Sequence, residues 1–301
     1  MRSSEDSSII KGIGDDAAIL QVTANNQLVV TTDTLVEGTH FVKQAPAYQI
    51  GYKLLASNLS DLAAMGARPR WATLNLNLSV IDENWLQDFS DGLFECADTH
   101  EVTLIGGDMT RSPTLSMSIQ LLGEVPLHES MRRDQAMLGD NLYVTGKLGK
   151  AGEALNILLK NQGNHDALSQ QQMIDLYQPP SRVKLAIDLR SCVKTAIDIS
   201  DGLLHELEIL CLQSQTGAHV NIDKIPMINQ NHWENALTLG EDYELLFTAN
   251  SIHSDKINEI ANEHACPITL IGKITEPPSI HLFQNNHRIA YPKSTGYDHF
   301  Q

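Results

Sequence analysis

The sequence predicts an α+β protein of two α/β domains. Three observations lead to this prediction. The length of 301 residues suggests about two domains, each large enough to bury apolar side chains. Segments with strand character alternate with segments of helical character along the whole chain. Hydrophobic residues make up 42% of the chain and charged residues 19%, which is the composition of a folded globular protein rather than a disordered one.

The first half of the chain contains two predicted helices and four predicted strands. Residues 46–66 carry apolar side chains at helical spacing, and Gly66 is placed to end that helix. Residues 73–80 alternate strictly between apolar and polar side chains. This alternation predicts a half-buried strand of the antiparallel kind, whose second face is polar or lies at an interface. The remaining elements of this half are an amphipathic helix at 85–99 and strands at 27–32, 102–105 and 116–122.

A polar connector at residues 128–138 separates the halves, so the predicted domains are 1–130 and 131–301. The alternation of strands and helices then starts again. A pair of prolines at 179–180 indicates the start of a helix, because proline is tolerated at that position. The predicted helix continues to Arg190. The other predicted elements are helices at 150–161 and 202–214 and strands at 141–145, 194–199, 220–225, 244–249 and 268–274.

The charge and the cysteines exclude several classes of protein. The formal net charge is −16, from 37 Asp and Glu against 21 Lys and Arg. Nucleic-acid binding and docking on an anionic membrane both need a cationic surface, so we expect neither partner. No apolar stretch approaches the roughly 20 residues that cross a bilayer, and residues 1–8 lack an apolar signal core. Four well-separated cysteines fit neither a disulfide framework nor a zinc site, so we expect a cytoplasmic protein.

Nine acidic residues lie beside glycine or hydroxyl residues in turns, at strand ends or on the first helix. Each has an ordinary explanation alone, because Asp-Gly pairs form turns and Asp or Ser caps helices. Together, the repeated patterns favour a shared site, where like charges need counter-cations to stay ionised. Carboxylate and hydroxyl oxygens bind Mg²⁺ in preference to zinc or copper. The nine acids are Asp15, Asp16, Asp33, Asp61, Asp108, Asp198, Asp201, Glu241 and Asp242.

The sequence lacks the standard phosphate-binding motifs. It has no G-x-x-x-x-G-K-[ST] loop, and Gly12 and Gly14 lack the third glycine of a dinucleotide-binding fingerprint. A kinase-type glycine-rich loop, a Gly-x-Ser-x-Gly elbow and an H-E-x-x-H pair are also missing. A nucleotide enzyme with this sequence must therefore rely on metal ions to neutralise phosphate charge.

Seven motifs, taken in order, resemble those of the thiamine-monophosphate kinase family, which belongs to the aminoimidazole ribonucleotide synthetase-like superfamily. They cover the chain almost end to end. The resemblance implies two α/β domains and a homodimer in which the mixed or antiparallel sheet of the N-terminal domain pairs with its copy. The motifs are GIGDDAAIL (12–20), TTDTLVEGTHF (31–41), YKLLASNLSDLAAMGARP (52–69), LIGGDMTR (104–111), AIDISDGL (196–203), GEDYELLF (240–247) and GYDHF (296–300).

The resemblance also implies a reaction. A member of this family transfers the γ-phosphoryl group of ATP to thiamine monophosphate and forms thiamine pyrophosphate and ADP. The acceptor phosphate is already anionic at neutral pH, so the transfer needs no general base. It is direct and in line, and it depends on positioning and on several Mg²⁺ ions rather than on a covalent intermediate. No side chain is therefore expected to act as a catalytic nucleophile or base.

The family's site residues correspond to residues of this chain at the matching motif positions. Tyr297 offers an aromatic face to a cationic heterocycle. The implied metal ligands are Asp16, Thr31, Thr32, Asp33, Asp61, Asp108, Asp198 and Asp201. The implied ATP contacts are Gly107, Asp108, Arg133 and Ser200, and the implied contacts to thiamine monophosphate are His40, Glu241 and Tyr297.

Two alternatives stay open on the sequence alone. The first is another enzyme of the superfamily that uses ATP on a different acceptor, such as a carbonyl oxygen or selenide. A selenide enzyme needs a reactive residue such as cysteine near the N-terminus, and the first cysteine here is Cys96. The second alternative is a sensor that binds a divalent metal or a nucleotide without catalysis.

Overall fold

The computed structural model describes residues 6–229, 233–276 and 279–297. Each half of the chain forms a main β-sheet with helices packed against it, so the predicted α+β class is confirmed. All four cysteines lie in the described ranges, where they are unpaired and buried. Across these ranges no helix combines the length and the apolar character that crossing a bilayer demands.

The N-terminal sheet is mixed, and its strands lie in the order β3–β6–β4–β5. The elements of this half are β1 (Ile9–Lys11), β2 (Ile19–Leu20), β3 (Asn26–Val36), α1 (Ala47–Ala64), β4 (Arg68–Leu78), α2 (Glu83–Thr99), β5 (Thr103–Arg111) and β6 (Ser116–Pro126). Strand β6 pairs antiparallel with both β3 and β4, and β5 pairs parallel with β4. Strands β1 and β2 form a separate two-stranded sheet.

Helix α1 lies between the two halves of the molecule and is buried on most of its surface. Its C-terminus forms a Schellman motif, in which the N–H groups of Gly66 and Ala67 donate to the carbonyls of Ala63 and Leu62 at 2.8 Å. Gly66 has a φ of +65°, which glycine adopts without strain. The structure thus confirms Gly66 as the residue that ends this helix.

The C-terminal sheet has seven strands in the order β13–β12–β9–β11–β7–β10–β8. All neighbouring strands are antiparallel except β9 and β12, which are parallel. The elements are β7 (Asn141–Thr145), α3 (Lys150–Lys160), α4 (Gln170–Tyr177), α5 (Val183–Leu189), β8 (Thr195–Asp198), α6 (Leu203–Ser214), β9 (Gly217–Asn221), α7 (Trp233–Thr238), β10 (Leu245–Ala249), α8 (Ser254–Glu263), β11 (Ile268–Thr275), β12 (Ile280–Gln284) and β13 (His287–Ile289).

The larger of two hydrophobic cores takes side chains from both halves of the chain. Leu54 and Leu59 of α1 belong to it, and so do Leu185 of α5 and Phe247 of β10. A second core lies within the C-terminal half, around Leu207 of α6. The two halves therefore share an apolar interior, and α1 is the element that joins them.

Three predicted strands differ from the observed ones. Strand β3 continues to Val36, so residues 33–36 lie inside it rather than after it. Strand β5 likewise continues past Asp108 to Arg111. The predicted strand at 73–80 is displaced, because β4 ends at Leu78 and Val80 is 72% exposed. Its polar face is observed, but β4 has a parallel neighbour as well as an antiparallel one.

Polar side chains on the outer face of the N-terminal sheet explain two of these differences. On this face Thr34 Oγ1 and Ser118 Oγ share a hydrogen bond of 2.7 Å, and on β5 Thr110 Oγ1 donates to Asp108 Oδ2 at 3.0 Å. In the sequence, such polar residues resemble the end of a strand.

The second half also departs from its prediction. The predicted strand at 220–225 is wrong, because β9 ends at Asn221 and one turn of 3₁₀ helix follows. The helix predicted after the prolines begins only at Val183. The elements that the sequence did not reveal are short, and they are β1, β2, α4, α7, α8, β12 and β13.

Candidate active site

A cavity of about 460 Å³ lies between the two halves of the molecule. Helix α1 and strand β3 form its wall on the N-terminal side. The turn after β8 and the turn before β10 form the opposite wall. The side chains that line it from the N-terminal half include Asp33, His40, Lys53, Ser57 and Asp61, and those from the C-terminal half include Tyr177, Asp198, Ser200, Asp201, Leu239, Glu241, Tyr243 and Tyr297.

One face of α1 runs along this cavity. Lys53, Ser57 and Asp61 are spaced four residues apart and all line it. At the rise of an α-helix, Lys53 and Asp61 are separated by about 12 Å along the axis. The cavity therefore has two distinct ends, one near Asp61 and the other near Lys53.

A cluster of four carboxylates occupies the Asp61 end, and its members are Asp33, Asp61, Asp198 and Asp201. Thr31 Oγ1 donates to Asp61 Oδ2 at 2.5 Å, which joins β3 to α1. Ser60 Oγ donates to Asp198 Oδ2 at 2.8 Å, which joins α1 to β8. The second of these hydrogen bonds ties the two halves together at the acidic end of the cavity.

Burial and mutual repulsion raise the pKa values of these carboxyl groups. The pKa of Asp33 rises to about 6, chiefly because the group is buried and also because Asp61 and Asp201 are close. Burial, followed by the charge of Asp61, raises the pKa of Asp198 well above its usual value. Burial also raises the pKa of Asp61, although Thr31 and Arg133 oppose that rise. The cluster therefore favours a bound cation or proton.

The donor set of this cluster suits Mg²⁺, which takes hard oxygen ligands and relieves the repulsion among them. Within residues 6–229, 233–276 and 279–297, however, no three His, Cys, Asp or Glu side chains are close enough together to hold a metal ion. The carboxylates thus surround the cavity without forming a closed coordination shell.

The turn after β8 is held by a buried carboxylate that the sequence did not reveal. Glu206 in the first turn of α6 accepts hydrogen bonds from Ser200 Oγ and from the Asp201 N–H, both at 3.3 Å. It is only 3% exposed, and burial raises its pKa. The spacing of six residues from Ser200, within the run SDGLLHE, was the signal available in the sequence.

The turn before β10 has an unusual backbone. Gly240, Glu241 and Tyr243 have φ values of +68°, +61° and +49°. A Cβ at Gly240 would lie 2.2 Å from the Ser200 carbonyl oxygen, so only glycine fits there. The Glu241 and Tyr243 N–H groups donate to the carbonyls of Ser200 and Ile199 at 2.6 and 2.9 Å. Non-glycine residues in this conformation carry strain, which is typical of functional sites.

The other end of the cavity combines a buried ion pair with apolar and aromatic side chains. Lys53 Nζ pairs with Glu241 Oε2 and lies 5.7 Å from the centre of the Tyr177 ring. Lys53 was not among the site residues predicted from the sequence, although a lysine inside the apolar run YKLLA was a visible signal. The apolar wall at this end consists of Leu155, Leu158, Leu176 and Leu239.

The three residues that the resemblance assigns to thiamine monophosphate all line this cavity. Glu241 belongs to the strained turn. The N–H of Val36 donates to His40 Nδ1 at 3.1 Å, which leaves the ring proton of a neutral His40 on Nε2. The Tyr297 N–H donates to the Asp201 carbonyl at 3.1 Å. The rest of the GYDHF motif, at 298–300, lies outside the described residues.

Four of the predicted site residues do not reach the carboxylate cluster within one chain. Asp16 is exposed in the segment between β1 and β2. Thr32 faces the outer side of the sheet and donates to the Ile119 carbonyl at 3.0 Å. Asp108 and Gly107 are exposed on β5, which is three strand spacings, roughly 14 Å, from β3.

Arg133 lies beside a second cavity of about 470 Å³, which also exposes Thr31 and Asp61. Asp61 thus lines both cavities. The neighbouring Arg132 pairs with Asp134 through both its Nε, at 3.0 Å, and its Nη2. The positive charge of Arg133 lowers the pKa values of Asp61 and Asp198. Of these two arginines, Arg133 is therefore the one that interacts with the acidic cluster.

Comparison with known proteins identifies the family. The model of AIR synthase related protein, N-terminal domain, matches residues 14–125, and that of the C-terminal domain matches 138–284. The thiamine-monophosphate kinase of Buchnera aphidicola subsp. Acyrthosiphon pisum (strain APS) is 39% identical over 305 residues, covering 97% of this chain and 93% of the relative. The chain belongs to the thiamine-monophosphate kinase family.

Solved structures of this family share the fold. The thiamine-monophosphate kinase of Stenotrophomonas maltophilia K279a has a TM-score of 0.86 and 42% sequence identity, and the match covers 92% of each chain. AaThiL complexed with AMPPCP and TMP has a TM-score of 0.79 and 27% identity, covering 92% of this chain and 89% of that one. The mixed N-terminal sheet and the largely antiparallel C-terminal sheet are therefore the architecture of this family of kinases.

Proposed function

We propose that the protein uses ATP to phosphorylate thiamine monophosphate, forming thiamine pyrophosphate and ADP. The observation that carries the proposal is the cavity between the halves. It joins a carboxylate cluster to an apolar and aromatic end that contains Glu241. The names of the relatives support this reaction, and so does the AaThiL complex with TMP and AMPPCP, an analogue of ATP.

The two ends of the cavity suggest the orientation of the substrate. Phosphate groups belong at the end with Asp33, Asp61, Asp198 and Asp201, where metal ions can bridge carboxylate and phosphate oxygens. The thiamine heterocycles suit the other end, because apolar and aromatic side chains bury their faces and a carboxylate favours a cation. His40, Glu241 and Tyr297 are then the thiamine contacts.

The proposed chemistry is a single displacement. A phosphate oxygen of thiamine monophosphate attacks the γ-phosphorus of ATP, and the bond from that phosphorus to the bridging oxygen breaks. ADP leaves with the electron pair. The attacking oxygen is already anionic, so the protein needs to position the two phosphates in line rather than remove a proton. Ser200, Arg133, Gly107 and Asp108 are the proposed contacts to ATP.

We also propose that several Mg²⁺ ions act at this site and neutralise phosphate charge when they are bound. Asp33, Asp61 and Asp198 are the strongest candidates as ligands, because burial raises their pKa values and makes a nearby cation favourable. The full set of proposed ligands is Asp16, Thr31, Thr32, Asp33, Asp61, Asp108, Asp198 and Asp201.

A homodimer through the outer face of the N-terminal sheet is a further part of the proposal. Leu28 and Val30 on this face are 44% and 50% exposed, and hydrophobic exposure of this kind marks interaction surfaces. Thr32 and Asp108 lie on the same face, so pairing would bring these proposed ligands to the interface. A mass from light scattering that equals one chain at micromolar concentration would contradict the dimer.

Two expectations from the sequence stay predictions. One is the division of the chain into domains at 1–130 and 131–301. The other is a cytoplasmic location.

The direct experiment supplies purified protein with ATP, Mg²⁺ and thiamine monophosphate. We expect thiamine pyrophosphate and ADP in equal amounts, measured by mass spectrometry. Thiamine without a phosphate group is the matched control acceptor, and it should give neither product. Release of ADP only with a different acceptor, or binding of ATP without turnover on any acceptor, would contradict the proposed function.

A further inference from the structure

Lys53 is a buried cation in the cavity, and it is outside the metal, ATP and thiamine sets described above. We propose that Lys53 is a positioning residue that fixes the Glu241 carboxylate, so that Glu241 presents one oxygen to the thiamine end of the substrate. This inference rests on the proposed function, because it names the part of the substrate that the pair serves.

The pair connects the two halves of the molecule. Lys53 lies on α1, and Glu241 lies in the strained turn before β10. The Lys53 side chain is only 2% exposed, whereas that of Glu241 is 25% exposed. Lys53 contacts Oε2 of the carboxylate, which leaves Oε1 as the acceptor for a ligand in the cavity. The ring of Tyr177 covers the ammonium group from another side.

Glu241 needs this cation because of its surroundings. It shares the cavity with the four aspartates of the cluster, and like charges in one cavity repel one another. An ammonium group on Oε2 offsets part of this repulsion and holds the carboxylate in place. The aspartates then remain the preferred metal ligands, and Glu241 binds the organic part of the substrate.

Direct binding of the substrate phosphate by Lys53 does not fit the geometry. Lys53 and Asp61 are two helical turns apart, about 12 Å along α1, and the proposed phosphate site is at the Asp61 end. The ammonium also already has Glu241 as its partner. Lys53 therefore acts through Glu241 rather than on the reacting atoms.

A double-mutant cycle tests the inference. Lys53→Met keeps much of the side-chain length and removes the charge. We expect it to raise both the KM and the Kd for thiamine monophosphate by about 10-fold or more, the loss typical of removing a group that orients a ligand-binding side chain. The KM for ATP and kcat should change little. Calorimetry with thiamine monophosphate and Mg²⁺ gives the Kd without turnover.

Glu241→Gln is the second single variant of the double-mutant cycle. If Lys53 acts through Glu241, adding Lys53→Met to Glu241→Gln should cost little further affinity. Additive losses would overturn the proposal, because they would mean that Lys53 contacts the substrate itself. An unchanged Kd in folded Lys53→Met would also overturn it, since the lysine would then be purely structural. If Lys53→Met does not fold, the Kd of the double variant is compared with that of Glu241→Gln. This comparison still shows whether Lys53 contacts the substrate itself.

Lys273→Met is the matched control. Lys273 is exposed on β11 and does not line the cavity, so its loss should leave the affinity for thiamine monophosphate unchanged. Wild-type protein that makes no thiamine pyrophosphate would contradict the proposed function itself. A wild type that turns over, together with a silent Lys53→Met, would contradict only the present inference.

Discussion

Asp61 connects the carboxylate cluster to both cavities. It lines both cavities, accepts a hydrogen bond from Thr31, and its charge raises the pKa values of Asp33 and Asp198. Its position on α1 places it between the sheet of one half and strand β8 of the other. A single side chain thus combines a proposed role as a metal ligand with repulsion of the neighbouring carboxylates.

These two roles predict opposite effects of Asp61→Asn. Removing a metal ligand should reduce the rate of phosphoryl transfer by on the order of 100-fold. Removing one of several buried like charges should raise the unfolding midpoint of the protein in EDTA at pH 7.5. Thermal unfolding and a steady-state assay measure the two effects.

Asp88→Asn on the exposed surface of α2 is the matched control, and it should change neither quantity. A variant Asp61→Asn with wild-type turnover at saturating Mg²⁺ would contradict the role of Asp61 as a ligand.

At the scale of elements, the close packing of β5 against β4 explains why the motif LIGGDMTR contains Gly107. A Cβ on Gly107 would lie 1.9 Å from the Leu74 carbonyl oxygen of β4, whereas a Cβ on Gly106 would meet Thr73 only at 3.9 Å. Gly107→Ala should therefore lower the free energy of unfolding by about 1–3 kcal/mol. Gly106→Ala is the matched control and should change it by less than about 1 kcal/mol. Equal effects in urea titrations of the two variants would contradict the packing argument.

The start of helix α3 gives a prediction about pH. The Asp242 carboxylate accepts hydrogen bonds from the Gly149 N–H at 2.9 and 3.0 Å, and burial raises its pKa from 3.8 to about 7. Between these values the folded protein holds a proton that the unfolded chain has lost. The stabilisation from that proton is complete below pH about 4, and it is lost as the pH rises through about 7.

Asp242→Asn should therefore flatten the fall in unfolding free energy between pH 4 and 7. Urea unfolding at several pH values measures this slope. Asp33, Asp198 and Glu206 contribute in the same direction, so part of the slope should remain in the variant. Asp88→Asn should keep the full slope. A slope in Asp242→Asn as steep as in the wild type would show that Asp242 is not a source of it.

The sequence predicted the long elements better than the short ones. Helix α1 has enough turns for its apolar period and its terminal glycine to be clear. Helix α7 has six residues and β13 has three, which is too short for a periodic signal. The ends of β3 and β5 were placed too early because their polar residues lie on an outer sheet face, which a sequence cannot distinguish from a loop.

The sequence predicted much of the site as well, and the reason for what it missed is packing between the halves. The acids of the two Ser-Asp motifs and Glu241 of the Gly-Glu-Asp motif do line one cavity, whereas Asp242 is buried beside the start of α3. Lys53 and Glu206 were missed because a buried charge on a helix is recognised only when its partner is known, and Glu241 is 188 residues from Lys53. The exposed positions of Asp16 and Asp108 also depend on the tertiary fold rather than on motif spacing.

At the scale of the whole molecule, the cavity exists only because the two halves meet at α1. Its acidic end takes Asp33 and Asp61 from one half and Asp198 and Asp201 from the other. The larger hydrophobic core continues across the same boundary. The arrangement of the halves is therefore what brings the proposed phosphate and thiamine ends into one cavity of about 460 Å³.

The central claim is transfer of the γ-phosphoryl group from ATP to thiamine monophosphate, and isotope labelling tests it most directly. The protein is supplied with Mg²⁺, thiamine monophosphate and ATP whose nonbridging γ-oxygens are ¹⁸O. The account predicts that mass spectrometry finds the whole labelled phosphoryl group on the terminal phosphate of thiamine pyrophosphate. Label found only in inorganic phosphate, with no labelled thiamine pyrophosphate, would contradict it.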